Sequence, residues 1–500
     1  MHLVIMPLYG EVGIDPWEYL LAIIYGLFLY IHFARRKRMQ LKLHPEYKYY
    51  LSGLYMKFIG GFGFCMVFFY YYKGGDTMGF YYSGVAMNKM LAIDPVEYLR
   101  QVILGDNSMR AFRTYDGIAG PYGYAFIDSR IFPVLRLSSI LALITFNSYL
   151  ISTLIVASLS FAGAWVCYRT FVSYFPQIMD KLAIAFLYMP SAVFWGSGIL
   201  KDTLTFSAVC GFVHAVDEVF FKKNNVFSKS LLMIFCAIIL IQVKPYIFMV
   251  LFPAVSLWLL YFKVARIKNT LIRFVMVPVT TVVLVYVVLF VLEGMGDQFD
   301  KFALDSALEN IELMQGDMVN NVTYGDNKFD VGKFDGTWLG VVKKFPVATN
   351  AALFRPYLWE AKDAVNALSG LENLFMLGLT LYVLYKAGVV FTLRCLGGIP
   401  LILMSITFAL LFAFAVGVTT ANFGALVRFK IPLLPFYVSA CFIILYLAKE
   451  KREALIKRKP WNLRDYRMGS AFKYDADQNK RVQRRKVAPR GVDGRPIGHG

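Results

Sequence analysis

The sequence predicts an all-α polytopic membrane protein, with about eleven transmembrane helices and two long external loops. Three observations predict it. Apolar runs of about 20 residues recur along most of the chain. Hydrophobic residues make up 58%, where soluble domains hold about 45–50%. The basic residues gather in short stretches between the apolar runs, the pattern that orients membrane helices. Together these exclude a water-soluble protein.

The net charge of +19 first suggests nucleic-acid binding. Position argues against it. Residues 449–500 hold 16 Lys/Arg against 6 Asp/Glu, so +10 of the +19 lies in the C-terminal tail. Most of the remainder lies in inter-helix loops, so no nucleic-acid partner is expected and membrane lipids are. The chain divides into a transmembrane domain, 1–448, and a basic cytoplasmic tail, 449–500. The tail is poor in apolar residues, which predicts disorder or contact with anionic headgroups. The six cysteines lie in or beside apolar runs without a CxxC, and there are five histidines, so neither a disulfide framework nor a zinc site is expected. Residues 1–16 carry Glu11 and Asp15 and no basic n-region, which reads as a retained first helix rather than a cleaved signal.

In order, spans are expected over about 17–34 and 51–72, with the basic ARRKRMQLK between them on the cytoplasmic side. The first external loop covers about 73–147, with short amphipathic segments such as 92–104. Spans follow over about 148–168, 182–198 and 203–221. The apolar region 229–262 is broken by QVKPY at 242–246, which reads as two short helices meeting at Pro245. KVARIKN at 263–269 is cytoplasmic. A span over about 272–293 leads to the second external loop, about 294–370, which holds an amphipathic segment near 299–314, a Gly/Asp/Asn-rich stretch at 316–336 and an N-x-T sequon at Asn321. Spans over about 371–391, 398–418 and 432–448 complete the domain. This path puts the N-terminus outside, the C-terminus in the cytoplasm, and Asp76, Asp202, Arg355 and Arg428 on the external side, from four separate loops.

The chemistry-bearing candidates sit at those loops. Asp76 follows two glycines at a helix end, with Tyr81 and Tyr82 about a turn further on. It reads as a base for a hydroxyl nucleophile or as a helix N-cap. Asp202, with Lys201 beside it, opens a helix after PSAVFWGSGIL and reads as a partner carboxylate, as an N-cap, or as one of two acids holding a metal. Arg428 and Lys430 suit a lipid phosphate or an interfacial anchor. Lys244 lies at the helix break, either functional or snorkelling. Arg355 reads as a phosphate ligand or as a partner of Glu360 or Asp363. His214, Asp217 and Glu218 read as a solvated helix end.

Four stretches resemble, in order, motifs of the GT-C membrane glycosyltransferases, which include protein O-mannosyltransferases and aminoarabinose transferases. They are GGDTMGFYY at 74–82, MPSAVFWGSGILKDTLTF at 189–206, IQVKPYIFMVLFP at 241–253 and LVRFKIPLLPFYVSACFIIL at 426–445. The resemblance implies a GT-C-like fold and a hexosyl or pentosyl transferase in a bacterial inner membrane. Its donor is a polyprenyl-phosphate or -diphosphate sugar, and its acceptor an extracytoplasmic glycan, lipid or protein. It implies Asp76 as base and Asp202 as its partner. Lys244 and Arg428 become phosphate ligands. Lys201, Arg355, Tyr81 and Tyr82, at the same helix ends and loops, are read from their positions as further substrate-binding candidates. The resemblance leaves a divalent cation open. The chain differs from the family pattern in an extra first helix, a single acid in the first motif, and the lysine beside Asp202. Two alternatives are an O-antigen-type polymerase or ligase, and a lipid or glycan transporter.

Overall fold

The computed structural model describes residues 14–118, 120–264, 337–362 and 364–466, with the isolated positions 279, 282, 283, 286, 328, 329 and 332. Most of the expected span at 272–293, the basic stretch from 265, most of the second loop with Asn321, and the tail beyond 466 lie outside the described residues, as do residues 1–13 with Glu11.

The chain is an integral membrane protein built of helices. Among the described residues there is no β-strand, only an isolated bridge between Lys328 and Asn422. Seven described helices are long and apolar enough to cross a membrane, or eight if one bent pair counts as a span. They are α1 (Pro16–Leu41), α2 (Pro45–Tyr71), α5 (Tyr149–Tyr174), α6 (Lys201–Lys222), α7 (Val226–Val243), α10 (Ala364–Ala387) and α11 (Pro400–Thr419). The bent pair joins α12 (Phe423–Phe429) to α13 (Leu434–Ile456) at 67°. Between them lie α3 (Asp76–Ile93), α4 (Phe132–Ile144), α8 (Pro245–Val264) and α9 (Phe345–Phe354). α5 is the central post, packed on α2 and α6. α6 packs in turn on α7, α3 on α4, and α11 against both α8 and α9.

Local chemistry sets the ends. Asp15 and Glu18 form a capping box ahead of Pro16 and open α1. The Ser148 hydroxyl accepts from the Ile151 N–H and opens α5. α7 stops at Lys244 because Pro245 follows, which confirms the expected break at 242–246. The first loop folds into α3, Pro95–Leu104 and α4 rather than open chain, and the expected amphipathic segment at 92–104 is helical from Pro95.

The span expected at 182–198 is not one continuous helix. The chain turns at Pro190, forms a short helix at Pro190–Phe194, and runs irregularly through Gly196, Ser197 and Gly198 to α6. It lies along α2 so closely that a methyl on Gly60 would meet the Val193 carbonyl oxygen at 2.2 Å. Backbone groups left open in an apolar setting demand side-chain partners. Lys57, on α2 and 1% exposed, donates to the carbonyls of Ala192 and Gly196, both at 2.8 Å, and to the Ser160 hydroxyl at 3.1 Å. Thr203 donates to Gly198 O at 2.7 Å and Trp195 O at 3.1 Å. Glu372 on α10 accepts from the Ser191 N–H at 2.7 Å. This stapled segment delivers Asp202 to its place.

Candidate functional site

Four charged side chains from four distant parts of the chain meet in one ladder. Asp202, in the first turn of α6, is 1% exposed. Lys244, at the α7–α8 break, pairs with its Oδ1. Arg428 on α12 donates from Nε to its Oδ2 at 2.6 Å, and from Nη1 to Asp76 Oδ2 at 2.9 Å. Asp76 opens α3 after Gly74 and Gly75, whose positive φ values of 154° and 113° suit glycine. The rungs run from buried to open: side-chain exposure is 2% for Asp202, 8% for Lys244, 15% for Arg428 and 57% for Asp76.

The gradient gives the two Arg428 contacts different characters. A carboxylate as buried as Asp202 is tolerable only when paired, and both its oxygens face cations. Taking away one partner of such a pair leaves an uncompensated charge. The Arg428–Asp76 contact is half in solvent, where an ion pair contributes about 0–1 kcal/mol and exchanges easily. Arg428 Nη2 donates to nothing among the described residues, so the fork keeps donors for a further anion. The Phe429 ring walls the site, with Lys244 Nζ 4.1 Å and the Arg428 guanidinium 5.7 Å from its centroid.

Neither acid acts as a helix cap. The N-cap of α6 is Leu200, and Asp76 spends its described side-chain bond on Arg428. Lys201 is half-buried beside the ladder and interacts electrostatically with Lys244, Asp128, Arg428 and Asp76. Asp128, from the first loop, is held by Arg130 through bonds of 2.7 and 3.1 Å. Burial pushes the Asp128 carboxyl up, but the Arg130 bond and charge outweigh it and hold it below the usual carboxylate range.

Other candidates fall elsewhere. Arg355 is clamped by Glu360, with Nη2 at 2.5 Å from Oε1, and lies 5.2 Å from the centroids of both Phe329 and Phe423. Its pairing with Glu360 was one of the two sequence readings. Asp363 lies outside the described residues. Tyr81 is 1% exposed and packs on Tyr149 and Tyr82, so it belongs to the core rather than to an open substrate surface. The reason is angular: five residues of α-helix turn the side chain about 140° away from Asp76. Tyr82 is about 120° off in the other sense and half-buried. Lys430 is fully buried, donating to Asn373 Oδ1 at 2.5 Å, which removes it from the headgroup-anchor reading.

His214, Asp217 and Glu218 do not form a solvated helix end. They are 7%, 0% and 7% exposed. Thr170 bonds His214 at 2.9 Å, Tyr174 donates to Asp217 at 2.7 Å, and Lys222 bridges Asp217 and Glu218 at 2.8 and 3.2 Å. α5 and α7 pack on both sides of this end of α6 and exclude water from it.

Lys57 and the Glu372–Asn373 pair were not named from the sequence, and Asp128 and Arg130 were legible there only as charges of the first external loop, without a role. Lys57 carried a usable signal, an ionisable residue within an expected apolar span.

Neither a family model, nor a curated protein, nor a solved structure matches this chain. The site is therefore read from its own chemistry. Among the described residues no group of three or more His, Cys, Asp or Glu is placed to hold a metal ion. The donor set at Asp202 does not suit a divalent cation, because both oxygens already face cations and Lys201 adds a third positive charge.

Proposed function

We propose that the chain is a membrane glycosyltransferase of GT-C-like architecture. It moves a sugar from a polyprenyl-phosphate or -diphosphate donor to an acceptor hydroxyl on the side of the membrane that Asp76 faces. The observation that carries this reading is the shared guanidinium. Arg428 links a buried acid to an exposed one, at the ends of helices far apart in sequence. The eleven spans of this reading are the seven or eight found among the described residues, the bent pair counted as one, with the broken segment before α6, the shorter apolar helix α8 and the apolar run at 272–293 taken as the other three.

In this reading Asp202 and Lys244 are the fixed end and Asp76 the working end. A phosphate of the donor takes over Arg428 Nη1, releasing Asp76. The acceptor hydroxyl oxygen attacks the anomeric carbon as Asp76 accepts its proton. The bond from that carbon to the phosphate oxygen breaks, its electron pair going to the oxygen, where Arg428 stabilises the charge. Attack opposite the leaving group inverts the anomeric configuration. The arrangement assigns Asp202 a positioning role and leaves Asp76 as the base.

The test is transfer by purified protein in liposomes, supplied with a polyprenyl-phosphate-linked sugar. Wild type forms a glycosylated product and free lipid phosphate, and Asp76→Asn and Arg428→Ala lose about a hundredfold or more. Transfer that survives both substitutions overturns the reading. A transporter reading draws on the buried ionisable cluster at the far end of α6. It is supported instead if the lipid-linked sugar changes leaflet without being consumed.

A further inference from the structure

A cavity of about 200 Å³ is lined by Gly105, Asn107, Ser129, Arg130, Arg136 and Gln242, with Leu104, Phe132 and Pro133 as its apolar part. Gln242 is two residues before Lys244, so the cavity sits where α7 ends. Two arginines line it. Arg136 on α4 donates from Nε to Val102 O and from Nη2 to Ile103 O, both at 2.6 Å. It has no carboxylate partner among the described residues, and its Nη1 carries no described hydrogen bond. Arg130 donates from Nε and Nη2 to Asp128, and its Nη1 carries no hydrogen bond among the described residues.

Gly105 makes the Arg136 placement possible. Its φ of 82° ends the helix through Leu104 in the left-handed region. A methyl there would meet Arg136 Nη1 at 2.8 Å. The guanidinium thus lies against bare backbone, tied to two carbonyls, at the cavity that Arg136 lines. The polar residues lining the cavity are donors, two arginines, Gln242, Asn107 and Ser129, and no carboxylate lines it among the described residues. A tetrahedral oxyanion suits such a convergent set. The volume exceeds the ~30 Å³ of one water and falls below the roughly 300–1,000 Å³ of sites for drug-sized ligands. It suits a phosphate group with a short attachment rather than an oligosaccharide.

We propose that this cavity is an anion site distinct from the ladder and takes a phosphate group, carried by a lipid headgroup or by a soluble phosphate. The proposal does not rest on the transferase reading.

The test uses the full chain, purified in detergent and stripped of lipid. Inorganic phosphate is titrated against chloride at matched ionic strength, with thermal unfolding as readout. Dioleoyl phosphatidic acid is added in a parallel arm, with native mass spectrometry as readout. Arg136→Gln is expected to weaken binding roughly tenfold. Gln242→Leu, at an exposed residue without a described hydrogen bond, is expected to weaken it about threefold. Stabilisation by inorganic phosphate, lost in the variants, supports the site with a soluble ligand. Retention of phosphatidic acid alone, lost in the variants, supports it with a headgroup. If Arg136→Gln does not fold, Gln242→Leu decides. Failure of both probes to bind, or binding equal to wild type in the folded variants, overturns the proposal.

Discussion

Arg428 donates from Nε to Asp202 at 2.6 Å, although 226 residues separate them in the chain. The contact joins α12 to the start of α6, and Lys244 fixes the same carboxylate from the other side. One buried acid thus orders two cations, and the guanidinium reaches past it to Asp76.

Replacing Arg428 is expected to cost more than a surface pair would. Arg428→Ala leaves Asp202 buried with half its compensation, a loss of about 3–5 kcal/mol. Arg428→Lys does not rescue it, because one ammonium lacks the fork that spans two carboxylates. Thermal unfolding in detergent checks both, and a stability within about 1 kcal/mol of wild type would contradict the ladder.

Asp76→Asn separates stability from activity. Its ion pair is open to solvent, so the expected stability change is about 0–1 kcal/mol. Loss of a general base is expected to lower turnover about 10²–10⁴-fold. The check pairs unfolding with the liposome transfer assay, and an active variant removes Asp76 from the chemistry.

Lys57→Met is expected to loosen the broken segment ahead of α6. It leaves the carbonyls of Ala192 and Gly196 without their described donor, at about 1–3 kcal/mol for an unsatisfied buried group. The expected readouts are a lower unfolding temperature and faster proteolysis near Gly196, with the site perturbed through Asp202. Gly60→Ala acts on the same contact from α2, because the added methyl meets backbone rather than a movable side chain. A loss of about 1–3 kcal/mol is expected.

Asp128 gives a pH dependence with a definite sign. Burial raises its carboxyl, but Arg130 holds it lower than its ordinary value near 3.9. A group lowered on folding stabilises above its unfolded pKa, and that contribution fades as pH falls through the folded value. Unfolding temperatures from pH 6 downward should therefore show Asp128→Asn less stable than wild type near neutrality, with the gap closing below about pH 4. A gap that widens in acid would reverse the assignment.

The angular error at Tyr81 and the burial of His214, Asp217 and Glu218 share a cause. A run of residues shows which groups are near a helix end, but not which way they point or what packs over them. Lys430 is the same case, two residues from Arg428 yet turned to Asn373. The expected span at 182–198 failed for a local reason: Pro190, Gly196 and Gly198 were visible, whereas Lys57, which lets the broken backbone stay buried, lies more than a hundred residues away.

The sequence by itself determined the membrane class, most helix positions and the break at Lys244, because apolar run length, proline and charge act over one or two turns. It also named the four rungs Asp76, Asp202, Lys244 and Arg428 as separate candidates at helix ends. Only the tertiary structure decided that one guanidinium bridges the two acids, that Asp202 is the buried rung and Asp76 the open one, and that Arg355 pairs apart from them. Those are facts of helix rotation and long-range packing, and a buried charge finds its partner by whatever chain segment packing brings beside it.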